Sequence, residues 1–366
     1  MHVPDGFINA PVSAATGVVA ACAIAVSLRG ARRELAGTAL AGDGEPGGER
    51  TAPLAGLVAA FIFAVQMLNF PVAAGTSGHL LGGALAAILV GPCTGVLCVS
   101  VVLLMQGILF ADGGLTALGV NITDMAIVTT VVAYGVFRGL LKVLPRGRRS
   151  ITGAAFVAAL LSVPAAAVAF TLLYAIGGTT DVSLGKVATA MIGVHLLIGI
   201  GEAVITALTV GAVIAVRPDL VYGARGLTRQ RLRLRVDGEL IDLPAAPDAP
   251  AAPAADPEPV AAAPRTSRRA LWITGLVTSL VLAGFVSFYA SANPDGLEKV
   301  AADHGIDRTV EEHASADSPL ADYGVKDVGD ARLSGGLAGV IGVGATVVAG
   351  SAVFWAVRRR RAPEAS

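Results

Sequence analysis

The chain has 366 residues, of which 54% are hydrophobic and only 15% are charged, and its mean hydropathy is +0.70. Because a soluble domain carries about 25% charged residues, this composition excludes a soluble fold. It predicts an all-α, polytopic helical membrane protein surrounded by lipid. The 27 basic and 27 acidic side chains balance, so the net charge gives no reason to expect nucleic acid as a partner.

The first two residues, Met1 and His2, are a candidate metal chelator. The α-amine of Met1, the amide nitrogen of His2 and its imidazole can close fused rings around one divalent ion. All-nitrogen planar coordination suits Ni(II), Cu(II) and, less strongly, Co(II), whereas Mg²⁺ and Ca²⁺ prefer oxygen. In most proteins a histidine at position 2 has no role in metal binding. Further ligands elsewhere in the chain are therefore needed to support a site.

Nine apolar segments are predicted to cross the membrane. They cover residues 11–28, 53–71, 76–92, 93–111, 116–137, 151–176, 188–216, 270–291 and 334–357. The third and fourth come from one run that we divide at Gly91-Pro92, because proline breaks a helix; undivided, it would give eight spans and place the basic loop 138–149 outside. With nine spans every basic loop lies in the cytoplasm. We therefore expect a plasma-membrane protein with an extracytoplasmic N-terminus and a cytoplasmic C-terminus.

Changes in composition divide the chain into three parts. Residues 1–220 hold seven predicted spans, and residues 270–366 hold the last two. Residues 221–269 begin basic and become rich in Ala and Pro, a composition that buries too little apolar surface to fold. We expect a seven-helix domain, a cytoplasmic linker and a two-helix domain.

His79 is the residue best placed to complete the N-terminal chelate. It lies in the glycine-rich segment 69–83, which follows the second predicted span and is therefore on the same side as Met1. Non-helical backbone at membrane depth is tolerated only against protein or a polar cavity. A lone histidine is more often a core residue, but its shared side with the N-terminus favours metal binding. Asn69, at the start of the segment, is a candidate to support the ligands.

Four further polar residues lie within or beside predicted spans. His195 and Glu202 are seven residues apart and share a helix face. Ionisable groups inside a membrane suggest function by default, although a helix-packing hydrogen bond is the favoured interpretation of this pair. Asn121 and Asp124, in the fifth span, allow the same two interpretations.

The loop at 293–332, between the last two predicted spans, is rich in Asp and Glu. It contains the sequence Pro-Asp-Gly-Leu-Glu at 294–298, together with His304 and His313. Such a loop could collect cations weakly, and a solvated acidic loop is an equally good interpretation.

Two absences in the sequence limit the possible functions. No G-x-x-x-x-G-K-[ST] phosphate loop occurs, so this chain is not an ATPase of that kind. The sequence also lacks a Ser/His/Asp constellation with hydrolase spacing, which argues against a membrane enzyme.

The three cysteines, Cys22, Cys93 and Cys98, are odd in number and form no C-x-x-C pair. We interpret them as reduced helix residues that belong to neither a disulfide nor a metal site.

These motifs resemble those of a known family. Met1-His2-Val3-Pro4-Asp5-Gly6-Phe7, the segment 69–83 and the pattern at 195–202 are similar to the cobalt/nickel-specific substrate-binding membrane subunits of energy-coupling-factor ABC transporters. These are the M subunits of Cbi and Nik type. The tail from about residue 270 resembles the N-type accessory subunit, with the PDGLE signature at 294–298.

The resemblance implies seven helices with an N-terminal segment folded back into the helix core. It implies four ligands, namely the Met1 amine, the amide and imidazole nitrogens of His2 and the His79 imidazole. The bound substrate would be Co(II), with Ni(II) close behind, and no organic cofactor is implied. Cytoplasmic ABC ATPases and a membrane coupling (T-type) subunit would be the partners, so the chain would not be an enzyme by itself. A sensor or assembly protein that binds the ion without moving it is the alternative.

Overall fold

The computed structural model describes residues 1–36, 52–73, 75–145, 147–225, 233–236, 239–242 and 268–359. Within these ranges, seven helices are long and apolar enough to cross a membrane. They are Ala10–Leu35, Pro92–Leu109, Leu118–Val143, Arg148–Gly177, Leu184–Val216, Arg269–Tyr289 and Ala331–Val357. The predicted all-α membrane fold is confirmed, and the chain is a multi-pass membrane protein.

The first unit of the structure contains eight α-helices. They are α1 (Ala10–Ala36), α2 (Ala52–Gln66), α3 (Gly83–Val90), α4 (Pro92–Leu109), α5 (Leu118–Asn121), α6 (Thr129–Val143), α7 (Arg148–Gly177) and α8 (Leu184–Val216). A π-helical segment, Ile122–Val128, joins α5 to α6. The most extensive helix pair in the described structure is α7 with α8.

The predicted spans at 53–71 and 76–92 are wrong in extent. Helix α2 ends at Gln66, and strand β1 (Phe70–Ala73) then pairs antiparallel with β2 (Thr76–Gly78). Helix α3 has only eight residues, about 12 Å at 1.5 Å per residue. All eight residues are buried, so protein rather than lipid surrounds this short helix and the extended backbone before it, as non-helical backbone at this depth requires.

The predicted break at Gly91-Pro92 is confirmed. Gly91 has φ of 104° and separates α3 from α4, and Pro92 begins α4, where its missing N–H costs no hydrogen bond. A side chain at Gly91 would also collide with the Glu34 carboxylate, which accepts hydrogen bonds from the first backbone N–H groups of α4 at Cys93 and Thr94. Glycine is therefore required at this position by both its backbone conformation and its neighbour.

The second unit consists of α9 (Arg268–Gly284), α10 (Gly296–His304) and α11 (Ala331–Arg359). Helices α9 and α11 pack against each other and against α2 of the first unit. Glycines allow the close approach of α2 and α11, since a side chain at Gly56 would strike the backbone of Ser351. The two units thus form one helical bundle, and the loops that contain His79, Asp112 and the 293–332 loop meet at one end of it, which we call the site end.

Much of the predicted linker, including residues 243–267, lies outside the described residues. Two described pieces of it are structured. Val221 and Ala224 are buried, and a turn that contains them packs against α3. Arg233–Val236 pairs antiparallel with Glu239–Asp242. The turn at 221–224 therefore lies against the first unit.

Candidate metal centre

The N-terminal segment runs back into the site end of the bundle. Met1 is only 2% exposed, and Val3 is fully buried. The Val3 N–H donates to Asn121 Oδ1 at 2.7 Å, and Asn121 Nδ2 donates back to the Val3 carbonyl at 3.0 Å. The same carbonyl accepts from the Gly114 N–H at 2.9 Å. The Asn121 side chain therefore pairs with both backbone groups of Val3, as a residue of a neighbouring β-strand would.

A second attachment fixes the segment at Asp5, two residues after Val3. The Asp5 carboxylate accepts from the Thr116 N–H at 2.8 Å and from the Thr116 hydroxyl at 2.5 Å. The Asp5 carbonyl accepts from the Glu311 N–H at 3.0 Å. Both units thus contact the N-terminal segment, which places the Met1 amine at a defined point.

Four residues converge at that point. The Met1 amine lies 2.8 Å from His79 Nε2 and 2.6 Å from Asp295 Oδ2. Potential ligand atoms of His2, His79 and Asp295 all lie within 4.8 Å of one another, and all three residues are buried. The His2 and His79 rings stack with their centroids 5.0 Å apart. The structure thus brings together the three ligand residues predicted from the sequence and adds a carboxylate.

His79 is oriented as a metal ligand would be. Its Nδ1 lies 3.0 Å from the Leu80 carbonyl oxygen. Because a carbonyl only accepts, Nδ1 carries a proton, and Nε2 is the ring nitrogen that faces the Met1 amine. Metal-binding histidines generally donate their second ring nitrogen to such an oxygen.

His2 is buried, which disfavours its charged form. Burial lowers the pKa of His2 to about 4, although nearby Asp112 acts in the opposite direction. Its Nε2 lies 3.2 Å from Gln106 Oε1 and its Nδ1 3.2 Å from Asp112 Oδ1. A neutral imidazole has a single N–H, so one ring nitrogen keeps a lone pair that a metal ion can use.

Asp295 reaches the cluster from the turn that precedes α10. Its Oδ1 accepts from the backbone N–H groups of Leu297 and Glu298 at 2.7 and 2.9 Å, and the Glu298 side chain accepts from the Asp295 N–H at 2.8 Å. This capping box begins α10. Burial by itself raises the pKa of Asp295, but the Met1 ammonium and His79 outweigh it and hold that pKa well below its usual range.

A cavity of about 640 Å³ lies beside the cluster, between the two units. Its lining from the first unit includes His2, Gln66, Asn69, His79 and Asp112, and its lining from the second unit includes Asp295, Glu298, Asp322, Tyr323 and Arg332. Tyr323 connects the two halves, since its hydroxyl donates to Asp112 at 2.5 Å and accepts from Gln106 at 2.9 Å. Both units therefore line the space beside the cluster.

Comparison with known proteins decides the family. Residues 2–220 match the family described as the cobalt uptake substrate-specific transmembrane region, CbiM, and residues 269–359 match the PDGLE domain. The chain belongs to the CbiM family. A CbiM domain followed by a PDGLE domain is the arrangement that the sequence resemblance implied, and that resemblance is confirmed.

Similar relatives carry the names of metal transport proteins. A metal transport protein of Haloquadratum walsbyi is 40% identical over 222 residues, which cover 61% of this chain and 94% of the relative. The fused nickel transport protein NikMN of Archaeoglobus fulgidus is 39% identical over 223 residues, 60% of this chain and 68% of the relative. A solved structure of a transition metal transporter is 28% identical, covers 59% of this chain and 93% of that one, and superposes with a TM-score of 0.49.

Glu202 of the CbiM domain supports the segment that carries His79. Its Oε2 accepts from the Leu81 N–H at 2.7 Å, and its Oε1 accepts from the Gly82 N–H at 3.2 Å. These are backbone groups of the extended stretch between β2 and α3, which has no helix to satisfy them. Glu202 thus replaces missing secondary structure two residues from His79.

His195 and Glu202, which share a face of α8, have different surroundings in the structure. His195 Nδ1 lies 2.7 Å from the carbonyl oxygen of Met191 on its own helix, and its Nε2 has no partner among the described residues. His195 is fully buried and lies beneath Gly296, at the start of α10. Its position supports the packing interpretation, with the PDGLE domain as the neighbour.

The two other polar candidates have different surroundings. Asn69 lines the cavity, and its carbonyl accepts from the Ser291 N–H at 2.7 Å. Asp124 is fully buried in the π-helical segment, is absent from the cavity lining, and has no hydrogen-bond partner in the described structure. Asn69 is therefore adjacent to the ligand cluster, whereas Asp124 is not brought to it.

Asp295 is the site residue that the sequence analysis did not select. The sequence at 294–298 reads as a capping box, with Asp at the N-cap and Glu three residues later. This pattern predicts that a helix begins after Asp295 and that one oxygen of its carboxylate caps that helix. The position of the other oxygen depends on how the loop docks on the CbiM domain.

Proposed function

We propose that this chain is the substrate-specific membrane component of an energy-coupling-factor ABC transporter that takes up a divalent transition metal. The observation that carries this proposal is the approach of the Met1 amine to His79 Nε2 at 2.8 Å, beside the His2 ring. Nitrogen donors held together in a buried cluster suit Co(II) and Ni(II).

The ligands in this proposal are the Met1 amine, the amide and imidazole nitrogens of His2, and the His79 imidazole. Neutral imidazoles are needed for metal binding, and His2 meets this condition because burial lowers its pKa to about 4. Nickel lies above cobalt in the general affinity order, whereas the family description favours cobalt. We favour Co(II) as the substrate, with Ni(II) close behind.

Energy for uptake would come from other subunits. We propose two cytoplasmic ABC ATPases and a T-type membrane coupling subunit as partners, because this chain has no phosphate-binding loop. The site end would face the outside of the cell, with the N-terminus there and the C-terminus in the cytoplasm. This orientation is supported by the basic residues Arg29, Arg32 and Arg33, which lie at the other end of α1 from Met1.

His79→Ala tests the proposed ligand set. In the purified full chain, we expect His79→Ala to weaken Co(II) and Ni(II) binding by about 100-fold, since it removes a ligand rather than a supporting group. His304→Ala, at the end of α10 and outside the cluster, is the matched control and should bind like the wild type. Equal affinity of all three proteins would show that the cluster does not bind the ion.

Uptake of radioactive cobalt separates transport from sensing. Cells that produce the chain with its ATPase and coupling partners should accumulate the ion, and cells with an ATPase inactivated in its phosphate loop should not. Tight binding together with uptake that is indifferent to the ATPases would favour the metal sensor.

A further inference from the structure

We propose that Asp295 is itself a ligand of the transported ion, so that the CbiM and PDGLE domains share one coordination site. In this arrangement the CbiM domain supplies nitrogen donors and the PDGLE domain supplies one oxygen. The inference rests on the proposed function of the N-terminal chelate.

The first argument is the geometry of the donor atoms. Met1 N, His79 Nε2 and Asp295 Oδ2 form a triangle with edges of 2.8, 2.6 and 3.5 Å. Two donors at right angles, each about 2.0–2.1 Å from an ion, are about 2.9 Å apart. Asp295 Oδ2 therefore stands in the same relation to the Met1 amine as His79 Nε2 does. An ion that binds the two nitrogens comes within reach of this oxygen without movement of the backbone.

The second argument is that the two oxygens of Asp295 have separate tasks. Oδ1 accepts both backbone hydrogen bonds that cap α10. Oδ2 takes no part in the cap and points to the Met1 amine. A residue needed only as a helix cap could be Ser or Asn, whereas this position places a second, buried oxygen in the cluster.

The third argument is that the loop with Asp295 is aligned on the segment with His79. The Ser77 N–H donates to the Pro294 carbonyl at 2.9 Å, and the Ser77 hydroxyl donates to the Asn293 carbonyl at 2.7 Å. These bonds join Ser77, two residues before His79, to the two residues that precede Asp295. Gly296 then lies so close to Ile198 and Val194 of α8 that a side chain there would force them to move. The carboxylate is thus held in place by the CbiM domain rather than by its own loop alone.

The fourth argument is charge. A divalent ion bound by the deprotonated His2 amide leaves one positive charge in a site where Met1, His79 and Asp295 are all buried. Burying a net charge is costly unless an opposite charge pairs with it. The Asp295 carboxylate balances that charge. An amine that binds the ion no longer pairs with Asp295 as an ammonium, so the ion becomes the carboxylate's positive partner.

Two substitutions separate the cap from the ligand. Asp295→Asn keeps an oxygen for the cap and replaces the other oxygen with an amide group that cannot bind the ion. Asp295→Ser also caps a helix and carries no second oxygen. Asp303→Asn is the matched control, because Asp303 lies on the same helix, is paired with Lys299 and is outside the cluster.

The experiment measures Ni(II) affinity and near-edge X-ray absorption of the purified full chain and these variants. Four planar nitrogens around Ni(II) give a distinct pre-edge feature that an added axial ligand suppresses. We expect both Asp295 variants to bind at least about tenfold more weakly, as the loss of one ligand predicts, and to show the planar feature more strongly than the wild type. Asp303→Asn should match the wild type in both measurements.

Three results would overturn the inference. Unchanged affinity in both Asp295 variants would show that the carboxylate is not a ligand. Weaker binding with the wild-type spectrum would make Asp295 a charge partner of the N-terminus rather than a ligand. Weaker binding by Asp295→Asn but not by Asp295→Ser would show that the introduced amide, rather than the lost carboxylate, lowers the Ni(II) affinity. Failure of the proposed function is distinct, because His79→Ala would then bind Ni(II) like the wild type.

Discussion

The N-terminal segment and the 293–298 turn reach the same point of the molecule from positions 294 residues apart, and they are held there differently. The N-terminal segment is attached to side chains of the CbiM domain, chiefly Asn121, and to backbone of both units. The turn is attached mainly through its own backbone, by Ser77 and by its seat on α8. Residues added before Met1 would therefore displace the amine. In the turn, by contrast, a single side-chain oxygen of Asp295 can be replaced while the backbone contacts remain.

The largest effect is expected at the N-terminal segment itself. Three residues added before Met1 would move the amine from a position that is 2% exposed. We expect tight metal binding to be lost while membrane insertion is retained, and isothermal titration of the purified protein measures this. The same three residues added after Ser366 provide the control. Wild-type affinity in an N-terminally extended protein, shown to be intact by mass spectrometry, would contradict the role of the amine.

A smaller effect is expected from Asn121→Ala, which loosens the N-terminal segment without removing a donor. The change leaves the buried Val3 N–H without its partner, at a cost of about 1–3 kcal/mol, whereas the Val3 carbonyl keeps its hydrogen bond from the Gly114 N–H. We expect weaker metal binding and faster hydrogen exchange at Val3. Thr123→Ala removes a hydroxyl that donates to the nearby Gly119 carbonyl and not to the N-terminal segment, so it is the control and should change neither quantity.

Two residues of α8 test the two regions separately. Glu202 lies beneath the His79 segment, and His195 lies beneath the 293–298 turn. Glu202→Gln replaces one of the two oxygens that accept from Leu81 and Gly82, so we expect the His79 segment to loosen and metal affinity to fall less than in His79→Ala. His195→Ala should have the smallest effect, because its hydrogen bond stays within its own helix. Metal titration of both variants ranks them. A loss in His195→Ala as large as that in His79→Ala would make His195 a ligand.

Parts of the candidate site are readable from the sequence because they are local. Met1 and His2 are adjacent, so their chelate needs no knowledge of the fold. His79 follows a predicted span, and span counting is enough to place it on the same side of the membrane as the N-terminus. Asn121 and Glu202 are recognisable as polar residues in apolar segments, but their tasks are not, since each bonds to backbone of a segment far away in the chain.

What the sequence by itself determines is therefore the membrane class, the helix break at Gly91-Pro92 and the candidate chelate of Met1 and His2, because each follows from composition or from neighbouring residues. The tertiary structure alone decides two matters. The apolar run after His79 is a buried eight-residue helix rather than a span, since Glu202 satisfies the extended backbone that precedes it. Asp295 joins the candidate metal cluster, since hydrogen bonds from Ser77 and the packing of Gly296 on α8 bring the second domain to the first.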